Sequence, residues 1–147
     1  MKKFLFIMYL SVAALSSSAR TTWNINEKIV RNFKEIYPNA VQVSWMEYPE
    51  TYAVYFVEDG IKVNIVFNKD GSFVSSVRYY KEDYLPYYLL AEIKKKYPSK
   101  KVYSVSELTS PGTITYFIKL EDTKTWTTIK MDSEGNMNLV EKLNKQS

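Results

Sequence analysis

The chain has 147 residues and a formal charge of +4, and 16% of its residues are aromatic, including 13 tyrosines. It contains no histidine and no cysteine, which excludes Ser–His–Asp and Cys–His catalysis, histidine or thiolate metal sites, and disulfides. The basic excess is too small for the clustered basic face expected of a nucleic-acid-binding protein. We therefore predict no nucleic-acid partner.

Residues 1–19 have the pattern of a cleavable signal peptide. Lys2 and Lys3 supply the positive start, residues 4–15 are mostly apolar, and residues 17–19 (Ser-Ser-Ala) match a small-residue cleavage site. The apolar run is shorter than the about 20 residues that cross a bilayer, so we expect no stable membrane anchor. The alternative is an uncleaved anchor or a buried N-terminal helix. With no cysteine to carry a lipid, the sequence predicts a periplasmic or secreted protein.

The remainder, residues 20–147, is predicted to be one domain made of two repeats, about 24–82 and 83–145. Self-comparison aligns Phe-Lys-Glu-Ile-Tyr-Pro at residues 33–38 with Ile-Lys-Lys-Lys-Tyr-Pro at residues 93–98. Both segments end an amphipathic pattern with Tyr-Pro, so each repeat is expected to begin with a helix that stops at this dipeptide.

The two copies are not equally long. Residues 33–38 align with their counterparts at a shift of 60, whereas Asn-Lys-Asp-Gly-Ser-Phe at residues 68–73 aligns with residues 132–137 at a shift of 64. The second repeat has therefore gained a few loop residues. We place the gain around residues 109–112, a Thr-Ser-Pro-Gly turn cluster.

Each predicted helix carries one apolar stripe. The stripes recur at helical spacing and comprise Ile25, Ile29, Phe33 and Ile36 in the first repeat and Leu85, Leu89, Ile93 and Tyr97 in the second. Asn24 with Glu27 resembles a capping box, Pro86 suits a first helical turn, and Pro38 and Pro98 end the helices.

About four strands follow each helix. Residues 61–67 alternate apolar and polar side chains, and Asp70-Gly71 then turns the chain into the next strand. Two helices lying on one face of a continuous antiparallel sheet would bury both stripes. The sequence predicts a two-layer α+β fold, a tandem duplication of α-β4 units with a sheet of about eight strands.

These features resemble the exported PepSY-like proteins, also described as β-lactamase-inhibitor-like. The resemblance covers about Ile25 to Leu143 and rests on both Tyr-Pro helix ends, a strand with Trp45, Tyr-x-Val-x-Phe at residues 52–56, Leu85-Pro86, and the Asp59-Gly60 and Asp70-Gly71 turns. It implies helices on one face and an open sheet on the other, which grips a partner enzyme in the inhibitor relatives. Those relatives have disulfides and this chain has none, so no inhibitory residue is transferred.

The alternation divides the strand residues between two faces. The helix-facing set comprises Tyr52, Val54, Phe56, Ile61, Val63, Ile65, Phe67, Tyr116, Ile118, Leu120, Thr125, Thr127, Ile129 and Met131. The opposite set comprises Tyr55, Lys62, Asn64, Phe117, Lys119, Trp126, Thr128 and Lys130, joined by Arg78 and Tyr80 from the fourth strand. Aromatic and basic side chains alternate there, which predicts a surface that binds a protein, peptide or envelope polymer. The alternative is ordinary cross-strand pairing on a solvated face, with lysine stems covering the rings.

Four other features have a structural interpretation beside a functional one. Trp45 is either a ligand anchor or a tryptophan at the edge of the core. The Asp132–Asn136 segment resembles part of a calcium loop but is explained by a hairpin turn. Lys94–Lys96 form a solvated helix end, and the alternative is an anion-binding site. The tyrosines near the join, including Tyr80, are expected to lock the repeats together, and comprise Tyr79, Tyr80, Tyr84, Tyr87 and Tyr88.

The sequence contains no pattern for catalysis. Its four glycines form no phosphate loop, so we predict no cofactor, no metal and no enzymatic activity. The leading prediction is an exported binding or interaction module, inhibitor-like in its use of the open sheet face. The alternatives are a carboxylate- or Tyr-dependent glycan-active enzyme and a structural envelope protein that self-associates through an edge strand.

Overall fold

A computed structural model describes residues 25–146, which fold into two helices on one side of an eight-stranded antiparallel sheet. The strand order follows the chain from β1 to β8. The first half comprises α1 (Glu27–Ile36), β1 (Val41–Glu47), β2 (Thr51–Glu58), β3 (Ile61–Asn68) and β4 (Phe73–Tyr80). After a 3₁₀ turn (Glu82–Tyr84), the second half comprises α2 (Tyr87–Lys96), β5 (Lys101–Ser110), β6 (Thr113–Glu121), β7 (Thr125–Asp132) and β8 (Met137–Asn144). The predicted α+β fold is confirmed, whereas the predicted signal peptide lies outside the described residues.

The helices end where the sequence predicts, but α1 begins differently. Asn26 is the N-cap, and its side chain accepts a hydrogen bond from the backbone N–H of Lys28 at 2.9 Å. The predicted cap, Asn24, lies outside the described residues. The backbone N–H of Tyr37 donates to the carbonyl of Phe33, which closes α1 just before Pro38. At ten residues each, neither helix within residues 25–146 is long and apolar enough to cross a membrane.

The apolar stripe of α2 is confirmed, and that of α1 needs one correction. Ile36 is 67% exposed, so its prediction as a core residue is wrong. Spacing by four from Ile29 and Phe33 leads to Tyr37 instead, which packs against Phe33 and Phe56 with ring centroids 5.4 and 4.8 Å away. The last residue of the stripe thus belongs to the Tyr-Pro dipeptide, as Tyr97 does in the second half.

The hairpin turns after β3 and β7 lie beneath the two helices. Gly71 has a φ of +90°, and a Cβ there would lie 3.2 Å from Cγ1 of Ile29 in α1. Glycine therefore permits both the left-handed turn and its close approach to the helix. In the matching turn, the carboxylate of Asp132 accepts hydrogen bonds from the backbone N–H groups of Glu134 and Asn136. This segment is the predicted hairpin.

Pairing between β4 and β5 joins the two halves into one sheet. The contact runs from Ser76 opposite Thr109 to Tyr80 opposite Val105. This pairing depends on the length of β5, because β5 has ten residues whereas β1, the matching strand of the first half, has seven. The extra residues of the second repeat lie at the β5–β6 hairpin, as predicted, and part of this lengthened strand pairs with β4.

One buried polar group lies in the core between α2 and the sheet. Thr127 is buried among fully buried apolar side chains, and its Oγ1 has no hydrogen-bond partner among residues 25–146. A buried hydroxyl without a partner loses hydration with nothing to offset the loss.

Replacing Thr127 by valine is therefore expected to stabilise the domain by about 1 kcal/mol, because the unpaired hydroxyl becomes a methyl group of similar size. Urea unfolding followed by circular dichroism measures the change. Thr128→Val, one residue along on the opposite face, is the matched control and should change stability by less than about 0.5 kcal/mol. A loss of stability in Thr127→Val would contradict the assignment.

Candidate binding surface

The sheet face opposite the helices carries the predicted surface residues. Cross-strand pairing places Tyr55 opposite Asn64, Phe117 opposite Lys130, and Lys119 opposite Thr128, all on this side. We call this side, within residues 25–146, the open face. It also carries Lys62 and Trp126, so the structure brings together all the predicted binding residues, which are Tyr55, Lys62, Asn64, Phe117, Lys119, Trp126 and Lys130.

The predicted contribution of β4 to this face is wrong. Pairing of Lys62 with Tyr79 and of Tyr80 with Val105 places Tyr79 on the open face and both Arg78 and Tyr80 on the helix side. The cause is a β-bulge where the β3–β4 register shifts, between Val66 and Phe67 of β3. One extra residue on β4 reverses the direction of every side chain that follows it.

Arg78 and Tyr80 instead form a polar cluster with Glu107 on the helix side. The phenol of Tyr80 donates a hydrogen bond to Oε2 of Glu107, and Nη1 of Arg78 lies 3.3 Å from Oε1 of the same carboxylate. Burial, followed by the hydrogen bond to Glu107, raises the pKa of Tyr80 far above its usual value. These side chains hold β4 and β5 together and do not belong to the surface.

The centre of the open face is a row of side chains in register across the sheet. The row comprises Val57, Lys62, Tyr79, Ser106, Phe117 and Lys130, one from each of the strands β2 to β7. The most exposed aromatic residues of this face are Tyr79, at 50%, Tyr103, at 44%, and Tyr55 in the neighbouring row, at 41%. Val77 and Leu108 also lie in that neighbouring row and were not predicted. Apolar and tyrosine side chains thus occupy the middle of the face, with lysines between them.

Trp126 lies at one end of the open face, under two lysines. The ammonium groups of Lys145 and Lys119 lie 4.2 and 5.2 Å from its ring centroid. Tyr103 contacts the same ring edge to face at 4.8 Å, and Lys81 lies over Tyr103 in turn. These are cation–π contacts. Lysines cover the tryptophan, as the alternative interpretation of the sequence describes, whereas Tyr55 and Tyr79 are exposed.

Trp45 belongs to the core edge rather than to a ligand site. It lies opposite Val54 on the helix side of β1, and its ring meets Phe33 edge to face at 5.4 Å.

The expectation that five tyrosines lock the two halves together holds only in part. Tyr80 is buried and contacts Tyr84 at the join. Tyr87 is 84% exposed, Tyr88 is also exposed, and Tyr79 lies on the open face, so the packing role is wrong for these three residues. Tyr88 instead donates a hydrogen bond to the carbonyl of Ser133 at 2.9 Å, which ties α2 to the β7–β8 turn.

Comparison with solved structures identifies the fold. The chain is similar to a BLIP-like protein from Bacteroides fragilis, with a TM-score of 0.61 and 20% identity over 84% of this chain and 89% of that one. A DUF2874 family protein from Bacteroides ovatus gives a TM-score of 0.60 and 21% identity over 82% and 87%. A candidate periplasmic protein from Bacteroides eggerthii gives 0.60 and 17% over 82% and 88%.

No protein-family model and no curated protein sequence matches the chain. At identities of 17–21%, the solved structures establish the shared architecture and leave the activity open. The β-lactamase-inhibitor-like part of the resemblance is therefore supported at the level of fold, while the PepSY-like part stays a prediction. The two-helix, eight-stranded architecture of this chain is the fold of the BLIP-like protein and its DUF2874 neighbours.

Proposed function

We propose that the chain is an exported, non-enzymatic binding module whose open face holds a protein partner, in the manner of an inhibitor. The observation that carries this proposal is the row from Val57 to Lys130, which no helix of residues 25–146 covers and in which apolar, tyrosine and lysine side chains lie in register over six strands. Export is supported by the signal-peptide pattern of residues 1–19 and by the likeness to a candidate periplasmic protein.

The dimensions of the open face suit a folded protein. Six strands spaced about 4.8 Å apart span roughly 25 Å, and strands of eight residues are about 25 Å long. The planar area of such a face, roughly 600 Å², is of the same order as the roughly 800 Å² that one partner contributes to a standard protein–protein interface. Exposed tyrosines such as Tyr55 and Tyr79 are typical anchors of such interfaces, because they give large contact area at low entropic cost.

The carboxylates argue for binding over catalysis. A glycan-active enzyme needs two carboxyl groups facing each other across a pocket. Here Glu107 is held by Arg78 and Tyr80, and Asp122 is held by Lys100. Residues 25–146 also contain no group of three or more histidine, cysteine, aspartate or glutamate side chains that could hold a metal ion. These acids have structural partners, which favours the binding module.

Partner capture with matched variants tests the proposal. Immobilised mature domain is incubated with envelope extract, retained proteins are identified, and the affinity of the purified partner is measured by calorimetry. Tyr55→Ser with Tyr79→Ser is expected to weaken that affinity at least 100-fold, because both rings are exposed anchors, while the thermal midpoint stays unchanged.

The control removes two exposed tyrosines from the other side of the molecule. Tyr87→Ser with Tyr88→Ser alters α2 and should leave the affinity for the partner within threefold of the wild type. Equal losses in both double variants, or full binding by the open-face variant, would refute a binding role for the open face.

A further inference from the structure

A lysine-lined cleft of about 640 Å³ lies at one end of the second half, beside Trp126. It is formed by the start of β5, the β6–β7 turn and the end of β8. Its charged lining consists of Lys100, Lys101, Lys124, Lys142, Lys145, Glu121 and Asp122. We call it the lysine cleft.

The charges of the lysine cleft do not balance. Lys100 pairs with Asp122, and Lys145 pairs with Glu121 at 3.0 Å. The side chains of Lys101, Lys124 and Lys142 are exposed, and no carboxylate of residues 25–146 forms an ion pair with them. Three ammonium groups therefore line the lysine cleft without a negative partner.

This excess stands out against the rest of the domain. Residues 25–146 contain 17 basic and 16 acidic side chains, a net charge of +1. The lysine cleft alone holds five lysines against two acids, so the described residues outside it carry a net negative charge. The positive potential of the domain is concentrated at this end, where it attracts an anionic ligand.

The wall of the lysine cleft is preformed. Asp122 accepts hydrogen bonds from the backbone N–H groups of Lys124 and Thr125, at 2.8 and 2.6 Å, which fixes the β6–β7 turn. The Lys100 ammonium, helped by those N–H groups, holds the pKa of the Asp122 carboxyl well below its usual range. Lys100 also donates to Oγ1 of Thr125 at 2.7 Å. Lys100 and Asp122 therefore build the site and leave the three unpaired lysines to bind.

We propose that the lysine cleft binds a carboxylate-rich segment of the protein partner held on the open face, an inference that rests on the proposed function. Lys145 makes the two surfaces continuous, because it pairs with Glu121 in the lysine cleft and lies 4.2 Å over the ring of Trp126 on the open face. Carboxylates are the anionic side chains that a protein partner carries, and lysine ammonium groups pair with them as point charges.

The first test uses fluorescein-labelled hexaglutamate and fluorescence anisotropy at low salt. Reversing the three unpaired lysines, in K101E/K124E/K142E, is expected to weaken binding of this peptide at least tenfold. The control K28E/R31E/K34E makes the same change in net charge on exposed positions of α1 and should bind within twofold of the wild type. Equal losses in the two triple variants would show that only net charge matters and would overturn the site.

The chemical class of the ligand is tested by competition. Tripolyphosphate is expected to displace labelled hexaglutamate less effectively than unlabelled hexaglutamate does. If tripolyphosphate is the stronger competitor, the lysine cleft is a phosphate-polymer site and the carboxylate assignment is wrong.

The purified partner separates this inference from the proposed function. Both are supported if partner affinity falls at least tenfold in K101E/K124E/K142E and also in Tyr55→Ser with Tyr79→Ser. If partner affinity falls in the double tyrosine variant but is unchanged in K101E/K124E/K142E, the role of the lysine cleft alone is overturned. In a third outcome, hexaglutamate binding requires the three lysines but partner affinity is unchanged in the double tyrosine variant. This result overturns the open-face function and leaves the lysine cleft as an anion site.

Discussion

Truncating Leu89 to alanine is expected to lower the free energy of unfolding by about 3–5 kcal/mol, which is a large part of the stability of a domain this size. Leu89 is fully buried on α2, and the β7–β8 turn lies beneath it, since a Cβ at Gly135 would lie 3.9 Å from Cδ2 of Leu89. The substitution removes the apolar contacts and leaves a cavity that two packed layers close only in part. With no disulfide in the chain, nothing covalent limits the loss.

The matched control is Leu139→Ala in β8. Leu139 is an exposed leucine, so the same chemical change is expected to cost less than about 1 kcal/mol. Urea unfolding of both variants gives the comparison. Similar losses in the two variants would show that α2 is not packed on the sheet as described.

Replacing Tyr80 by phenylalanine is expected to cost about 1.5–3 kcal/mol, because a hydrogen bond to a charged acceptor is lost in a buried setting. The carboxylate of Glu107 then keeps only Arg78 as its partner on that side. Tyr79→Phe, at the neighbouring residue on the open face, is the control and should change stability by less than about 0.5 kcal/mol. Equal losses of stability in Tyr80→Phe and Tyr79→Phe would contradict the assignment of the hydrogen bond to Tyr80.

Alkaline pH gives a second measure of the Tyr80 cluster. The pKa of Tyr80 is raised by burial and by its hydrogen bond to Glu107, so the folded state favours the protonated phenol. Its contribution to stability is complete below pH 10, near the ordinary pKa of tyrosine, and declines as the pH rises further. The stability difference between the wild type and Tyr80→Phe should therefore shrink above about pH 10.

The fold was predictable because the chain repeats its pattern. The two Tyr-Pro helix ends and the two turn sequences mark the same order of elements in both copies, so each copy supported the interpretation of the other. The prediction for Ile36 was wrong because it used a step of three from Phe33, whereas the steps of four from Ile29 to Phe33 continue to Tyr37.

The candidate surface was predictable only where strands are regular. Alternation placed Tyr55, Phe117 and Trp126 correctly, because β2, β6 and β7 keep one phase over these residues. In β4 a bulge reverses which side chains face the helices. The strand begins with the apolar residues Phe73-Val74, whose composition does not indicate an extra residue. The lysine cleft was not predicted because its lysines come from three separate segments that meet only in the folded chain.

The different lengths of β1 and β5 also decide how many units can join. Units that pair head to tail would grow into an open-ended fibre, since each added unit presents a new free strand. The joint uses Val105 to Thr109 of β5, and the matching positions in the first unit run from Trp45 to Pro49. There β1 ends at Glu47, and proline has no N–H to donate. A third unit would meet a strand that offers only Trp45 to Glu47, three of the five positions that the joint uses, so the shorter copy is the weaker edge for adding another unit.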